Sequence, residues 1–434
     1  MAEPLQADRR DRVDVLHGVS VDDPYQWLED GSDPAVVAWD ARCEAEFVAT
    51  VDALPETARL VERLRPLVKY DDSTVRYPCL RGDRSLFYTK RAEQDKWVLW
   101  VADGPDDPGR ILVDPNTWGP HDALVGATPS PDGRYLVLSR AHGGNEDPAL
   151  IVLEVDTGRT LPDTLRGWKR GSPSWAADGS GFWYAGKPVA GERGEGEQFY
   201  WHRVWWHTLG TDAAQDELVL ADETDRELHH TVWVSDDGRW QFRVRGGFHI
   251  VKLWLCDLAD PARPVVALTE MDASYSPIAI GDRLYVCTDW GAPRSRVMVG
   301  ALGGGAAGWP RDRWTELVPE QADVLDRMTA IGDRLYLQYR HDTASRIEVR
   351  TLDGALEREI PLPTAGSASV SGQLGRPEVR VNFSSFAHPP TVYRYDPASG
   401  ARTVEKEPGT PVSRALLADV VVDRVRVRSR DGTE

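Results

Sequence analysis

IGDRLYVCTD (Ile280–Asp289) and IGDRLYLQYR (Ile331–Arg340) open with the same six residues, 51 positions apart. Each reads as a Gly-Asp turn followed by alternating apolar and polar residues. Gly-Asp and Asp-Gly accept positive φ and close hairpins, and alternation at period two marks half-buried strands. The unit recurs upstream as RGDRSLFYTK (Arg81–Lys90), SPDGRYLVLS (Ser130–Ser139), AADGSGFWYA (Ala176–Ala185) and SDDGRWQFRV (Ser235–Val244). Its glycines, Gly82, Gly133, Gly179, Gly238, Gly281 and Gly332, are spaced 51, 46, 59, 43 and 51 residues apart.

A second unit, a strand ending in a polar turn, follows each of these hairpins. Its seven copies are VLWVADG, IVLEVDTG, VWWHTLG, LWLCDL, VMVGAL, IEVRTLDG and VYRYDPASG. Their reference positions are Val101, Val155, Trp206, Leu255, Val299, Val349 and Tyr395, at a mean period of 49 residues. EVRVNFSSF (Glu378–Phe386) supplies a weaker inner partner for the seventh. A period of this length holds four strands and their turns, and four-stranded units repeated radially make a β-propeller. The period of two excludes a helical solenoid. The sequence therefore predicts an all-β, seven-bladed β-propeller over residues 75–406.

The first 74 residues read differently. Asp33 and Pro34 open AVVAWDARCEAEFVATV, whose apolar residues recur in steps of three and four, so a capped amphipathic helix is predicted. A second helix is predicted from Glu56 to about Val68, after a break at Leu54-Pro55. Neither can hide its apolar stripe alone. At the other end, EPGTP (Glu407–Pro411) precedes Val420, Val421, Val422, Val425 and Val427, which predict one or two strands leading to a turn at Asp431-Gly432. Residues 407–434 thus read as a return linker and a first strand into a further domain.

The 434 residues carry 51 basic and 69 acidic side chains, a net charge of −18. That balance argues against nucleic acid and against an anionic membrane surface as partners. Cys43, Cys79, Cys256 and Cys287 form no CxxC pair and are expected to stay reduced. The N-terminus lacks the apolar core of a signal peptide, and no apolar run reaches 18 residues, so a cytoplasmic protein is expected.

HGVSVDDPYQWLED (His17–Asp30) resembles the opening of the prolyl oligopeptidase family of serine peptidases. Further matches include LVDPNTW (Leu112–Trp118), TPSPDGRYLVLS (Thr128–Ser139), FWYAGKP (Phe182–Pro188), HTLGT (His207–Thr211), VSDDGR (Val234–Arg239), LWLCDL (Leu253–Leu258) and TDWGAPRSRV (Thr288–Val297). The resemblance implies an N-terminal helical segment that packs on a peptidase domain, a propeller that limits access to short peptides, and an α/β-hydrolase domain bearing Ser, Asp and His. It implies cleavage after proline by acyl transfer. No serine here has glycine at both −2 and +2, so the nucleophile elbow is missing and no catalytic residue is assigned to this chain. The chain is expected to be the helical and propeller portion, inactive alone. Its implied partners are proline-containing oligopeptides and the hydrolase domain.

By motif position the resemblance places Trp183 and Arg245 at the peptide site. Trp183 could stack on substrate or fill space between blades; Arg245 could meet a peptide carbonyl or carboxylate, or neutralise an acidic cluster. His202 and His207 fall on opposite sides of a strand and cannot share a metal, and the adjacent His229 and His230 also diverge. The Asp103–Asp107 stretch lacks calcium-ligand spacing. Neither a metal nor another cofactor is expected. GERGEGEQ (Gly191–Gln198) reads as an exposed insertion in blade three or as a lip against the hydrolase domain. A second class, a non-catalytic propeller binding a peptide or protein partner, leaves the apolar helical pair without a role. A propeller glycosidase would need a carboxylate pair, and none stands out from the turn aspartates.

Overall fold

The computed structural model describes residues 6–433 except 145–147, 164, 166–171, 189–190, 195, 198–199, 222–223, 248, 261–263, 304, 306–308 and 408–414. The chain divides into two compact units, Met1–Lys69 and Tyr70–Glu434.

In the first unit, a hairpin pairs Val13–Leu16 with Val19–Asp22 around His17 and Gly18, both at positive φ. The sequence predicts no strands here, because four-residue strands are too short to stand out by periodicity. Helix α1 (Pro34–Asp52) starts as expected: the Asp33 carboxylate accepts the Ala35 N–H and proline occupies the first turn. Helix α2 (Pro55–Val68) also starts on a proline and stops two residues after Pro66. Val37, Phe47 and Val48 of α1 and Leu60, Val61, Leu64 and Val68 of α2 are exposed.

The second unit is a seven-bladed propeller of four-stranded antiparallel sheets. Blade 1 runs from Asp72 to Val113, blade 2 from Asp122 to Thr160, blade 3 from Ser174 to Leu220 and blade 4 from His229 to Ala267. Blade 5 runs from Tyr275 to Val318, blade 6 from Val324 to Glu359 and blade 7 from Ser367 to Lys406. Only blade 1 departs from the pattern, its innermost strand being split into Asp72–Ser73 and Tyr77–Pro78. The seven repeated strands of the sequence are the third strand of each blade. The six repeat glycines turn the innermost strand into the second, all with φ between +57° and +81°. Gly238 is required twice over: its φ is +81°, and a Cβ there would lie 2.4 Å from Cβ of Ala177 in blade 3.

Alternation along the strands sends apolar side chains to both faces of each blade, and neighbouring blades share them. Five clusters result, between blades 1 and 2, 2 and 3, 4 and 5, 5 and 6, and 6 and 7. Fully burying each Val, Leu or Phe in these clusters stabilises by roughly 1.5–3 kcal/mol. Among the described residues no such cluster joins blades 3 and 4, or blades 7 and 1.

Each blade is one contiguous stretch of chain, so no strand is shared across the ring closure. Blades 7 and 1 meet through polar contacts instead. Gln373 Nε2 donates to the Pro78 carbonyl at 2.8 Å and Arg376 Nη2 to the Gly82 carbonyl at 2.6 Å. Lys406 Nζ pairs with Asp72 Oδ1 at 2.5 Å.

Beyond blade 7, residues 415–417 make one helical turn and residues 421–430 are extended without ladder pairing. The strands predicted from Val420–Val427 are therefore not formed. Val421, Val425 and Val427 stay more than 70% exposed, with no neighbouring strand to receive their backbone hydrogen bonds. EPGTP lies outside the described residues except for Glu407.

Candidate functional site

Blade 3 contributes Gly181–Gly186 as its second strand and Arg203–Thr208 as its third. Phe182 and Tyr184 enter the cluster shared with blade 2, so Trp183 between them points the other way, toward blade 4. It is half-buried and packs on its cross-strand partner Trp206, ring centroids 4.5 Å apart. Blade 4 contributes Trp240–Gly246 and Val251–Asp257 as its second and third strands. Trp240, Phe242 and Val244 enter the cluster shared with blade 5, which turns Gln241, Arg243 and Arg245 toward blade 3. Arg243 Nη1 reaches the Val219 carbonyl of blade 3 at 3.5 Å.

The two residues singled out in the sequence therefore face the same seam. Half-buried Arg245 lies beside the Trp254 indole, its Cζ 6.0 Å from the ring centroid, and Lys252 Nζ lies 5.6 Å from that centroid. Buried Ala185 and Val204 share the face of Trp183, and buried Val232 that of Arg243, with polar groups beside them. Gln241 is fully buried and accepts from Arg243 Nε at 2.7 Å. Burial holds the Arg243 guanidinium below its usual range and pushes the Cys256 thiol up. An indole face and a guanidinium can bind a flat apolar ring and a carbonyl or carboxylate oxygen respectively.

The insertion between the second and third strands of blade 3 leads to this seam. Gly191, Glu192, Gly194 and Gly196 are exposed, as the loop reading expects, while Glu192 pairs with Arg203 and Glu197 with Arg226 at 2.6 Å. Glu195 and Gln198 lie outside the described residues. His202, at the end of the insertion, meets His229 of blade 4 with the two Nδ1 atoms 3.0 Å apart. Sequence reasoning missed this contact because the residues are 27 positions apart, on different blades. His202 lies just before the Arg203–Thr208 strand that holds His207, and His230 lies opposite Arg245 while His229 lies opposite Gly246.

His207 points into blade 3's opposite face. Its Nε2 lies 3.0 Å from Asp163 Oδ1 and its Nδ1 2.7 Å from Asp216 Oδ1, and all three side chains are inaccessible. Tyr184 donates to Asp216 at 2.5 Å, and the Gly210 N–H to Asp163 at 2.6 Å. Burial lowers the pKa of the imidazole, but the two aspartates more than offset it and the net shift is upward. Both nitrogens are occupied by carboxylates, so His207 offers no lone pair to a substrate and acts as a structural cation. The Asp103–Asp107 stretch is a turn: Asp107 accepts the N–H groups of Asp103 and Gly109. Among the described residues no group of three or more His, Cys, Asp or Glu side chains could hold a metal, and no helix is long and apolar enough to cross a membrane.

At the end of the ring formed by the innermost-to-second-strand turns, the blades are drawn together. Arg81 Nη1 of blade 1 donates to the Ala177 carbonyl of blade 3 at 2.8 Å. The Leu374 N–H of blade 7 reaches Asp236 of blade 4, whose carboxyl burial pushes up. The cavity left between blades 1 to 4 there measures only about 170 Å³. At the opposite end the C-terminal segment lies over blade 6. Arg424 Nη1 donates to the Asp342 carbonyl at 3.0 Å, and Arg426 pairs with the Asp342 carboxylate at 2.5 Å.

Residues 4–408 match the family described as prolyl oligopeptidase, N-terminal β-propeller domain. The chain belongs to this family. It is 26% identical over 430 residues to a prolyl endopeptidase of Elizabethkingia meningoseptica, covering 97% of this chain and 59% of that enzyme. A prolyl endopeptidase structure superposes with a TM-score of 0.84 at 27% identity, covering 93% of this chain and 59% of that one. Prolyl oligopeptidase B of Galerina marginata, bound to a 25-residue macrocyclization substrate, shares the fold at a TM-score of 0.86 and 20% identity, over 99% of this chain and 64% of that one. The chain thus spans about three-fifths of the length of the relatives it matches.

Proposed function

We propose that this chain is the N-terminal and propeller portion of a prolyl oligopeptidase-type serine peptidase that cleaves short peptides after proline. The nucleophile, base and oxyanion hole belong to an α/β-hydrolase domain, and the propeller restricts which peptides reach it. The observation that carries this reading is the family match over residues 4–408, in relatives whose chains extend well past the aligned part. The exposed apolar faces of α1 and α2 and the extended valine-rich segment fit surfaces that a further domain covers. The small cavity at the drawn-in end fits a ring that excludes folded proteins. Trp183 is assigned to stack on the substrate and Arg245 to bind a peptide carbonyl or carboxylate.

The test is the intact mass of the native protein from its source cells, with a proline-linked chromogenic peptide assayed on the same fraction. A species longer by roughly one domain, about 200–250 residues, that turns over the peptide supports the proposal. A native mass of 48.3 kDa without turnover overturns it and leaves a propeller that only binds.

A further inference from the structure

On the second strand of blade 4, Gln241 and Arg243 project toward blade 3 from alternate positions. Arg243 Nε donates to Gln241 Oε1 at 2.7 Å and Nη1 reaches the Val219 carbonyl at 3.5 Å, while Nη2 has no acceptor among the described residues. The first of these bonds fixes the amide: its oxygen faces the guanidinium, so its nitrogen faces away. Gln241 is wholly inaccessible, and its Nε2 finds no acceptor among the described residues. Among the same residues Arg243 pairs with no carboxylate. Arg296, Arg346, Arg350 and Arg380 are half-buried too, and each pairs with at least one aspartate or glutamate. The cross-strand neighbours of Arg243 are Val232 and Trp254, and those of Gln241 are Val234 and Cys256. None is an acid. Burial lowers the Arg243 pKa, and the Cys256 thiol is the one ionisable group that opposes this. A protein with a net charge of −18 thus keeps in one seam a cation without a counter-ion and a buried amide donor without an acceptor among the described residues.

We propose that Arg243 and Gln241 form a carboxylate-binding site between blades 3 and 4. A carboxylate is planar, carries one negative charge and has two acceptor oxygens. It supplies the missing counter-ion and accepts from both unfilled donors, Nη2 of the arginine and Nε2 of the glutamine. A neutral ligand would leave the guanidinium uncompensated. Entry is through Arg243, which is partly exposed, with Gln241 enclosed behind it. The carboxylate comes either from a free small acid or from the C-terminus of a peptide. The site is made by this chain alone, so the inference stands whether or not the propeller serves a peptidase.

The test uses the full chain and three probes: acetate, a proline-containing tetrapeptide with a free C-terminus, and the same tetrapeptide amidated. Acetate replacing chloride at constant ionic strength should raise the melting temperature, and Arg243→Gln should remove that rise. If the peptide C-terminus is the source, calorimetric titration should show the acid binding at least tenfold tighter than the amide, and Arg243→Gln should bring the two within twofold. Equal binding of acid and amide, with the acetate effect retained, assigns the site to a free acid. No acetate effect together with no difference between acid and amide, or effects that survive in Arg243→Gln, would overturn the proposal and leave a guanidinium and an amide that hold water only. Should Arg243→Gln not fold, Gln241→Met, which removes the amide at similar size, should weaken the same binding at least threefold. In the unmodified chain the bound probe should also slow alkylation of Cys256, the cross-strand neighbour of Gln241, while Cys79 and Cys287 hold their rates. A change uniform over the three thiols would count against the site.

Discussion

His207 is held by two carboxylates in a site no solvent reaches, so its charge is an integral part of blade 3. Removing one partner of a buried ionic group costs about 3–5 kcal/mol, and His207→Gln should lower urea stability by about that amount at pH 6. The imidazole pKa is raised by folding, so its contribution is full below the unfolded value, about 6.5, and is lost as pH rises through the folded value. The gap between the two proteins should therefore narrow from pH 6 to pH 9; a gap that stays flat or widens would show the ring to be neutral. Protonation of the ring therefore stabilises this site. In the full-length peptidase proposed above, Trp183→Ala and Arg245→Ala at the seam should each raise KM for a proline peptide about tenfold, equivalent to about 1.4 kcal/mol. An unchanged KM, with stability lost instead, would make both residues blade packing. Family motifs alone singled out Trp183 and Arg245; that the two share one seam was not legible, since strand alternation names a face without saying what it faces. The His207 site was not legible, because Asp216 lies 9 positions away and Asp163 lies 44 away on the connection between blades 2 and 3.

Turns and caps carry most of what the sequence says about elements. Gly-Asp and Asp-Gly mark every innermost hairpin of blades 1 to 6 because the backbone there needs positive φ, a local requirement with a local signature. Gly238→Ala should destabilise by about 1–3 kcal/mol through overpacking, with added strain from its φ; calorimetry of the full chain reads it, and a neutral result would mean that blades 3 and 4 separate freely. Asp33 is a cap of the same local kind, and Asp33→Ala should cost about 1 kcal/mol, seen as lower helical ellipticity at intermediate urea. What eluded reading were elements whose existence depends on a partner. The valines of 420–427 alternate as a strand should, but a strand needs a second backbone beside it. Thiols follow burial in the same way: the Cys79 pKa is pushed up to about 11 and that of Cys287 to about 12, while Cys43 is partly open. A thiol reagent at pH 8 should modify Cys43 first and leave Cys79 and Cys287 until the protein unfolds.

For the whole molecule, the five clusters tie blades 1 to 3 into one arc and blades 4 to 7 into another, and among the described residues no such cluster bridges the two junctions between the arcs. Arg376→Ala removes the guanidinium that reaches the Cys79 and Gly82 carbonyls, and should raise exchange in Ser85–Lys90 and Val379–Ser385 without altering blade 5. Equal exchange in both proteins would shift the burden of closure to Gln373 and Lys406. The number of blades was readable from the repeats, but the seams were not, since they depend on which residues fail to find apolar partners across a gap. The contiguous blades also have a mechanical consequence. Pulled apart at Asp72 and Lys406, the ring behaves as a cut washer: it yields at the closure, where a few side-chain bonds break in turn, and uncoils into an open spiral before any four-stranded sheet has to shear.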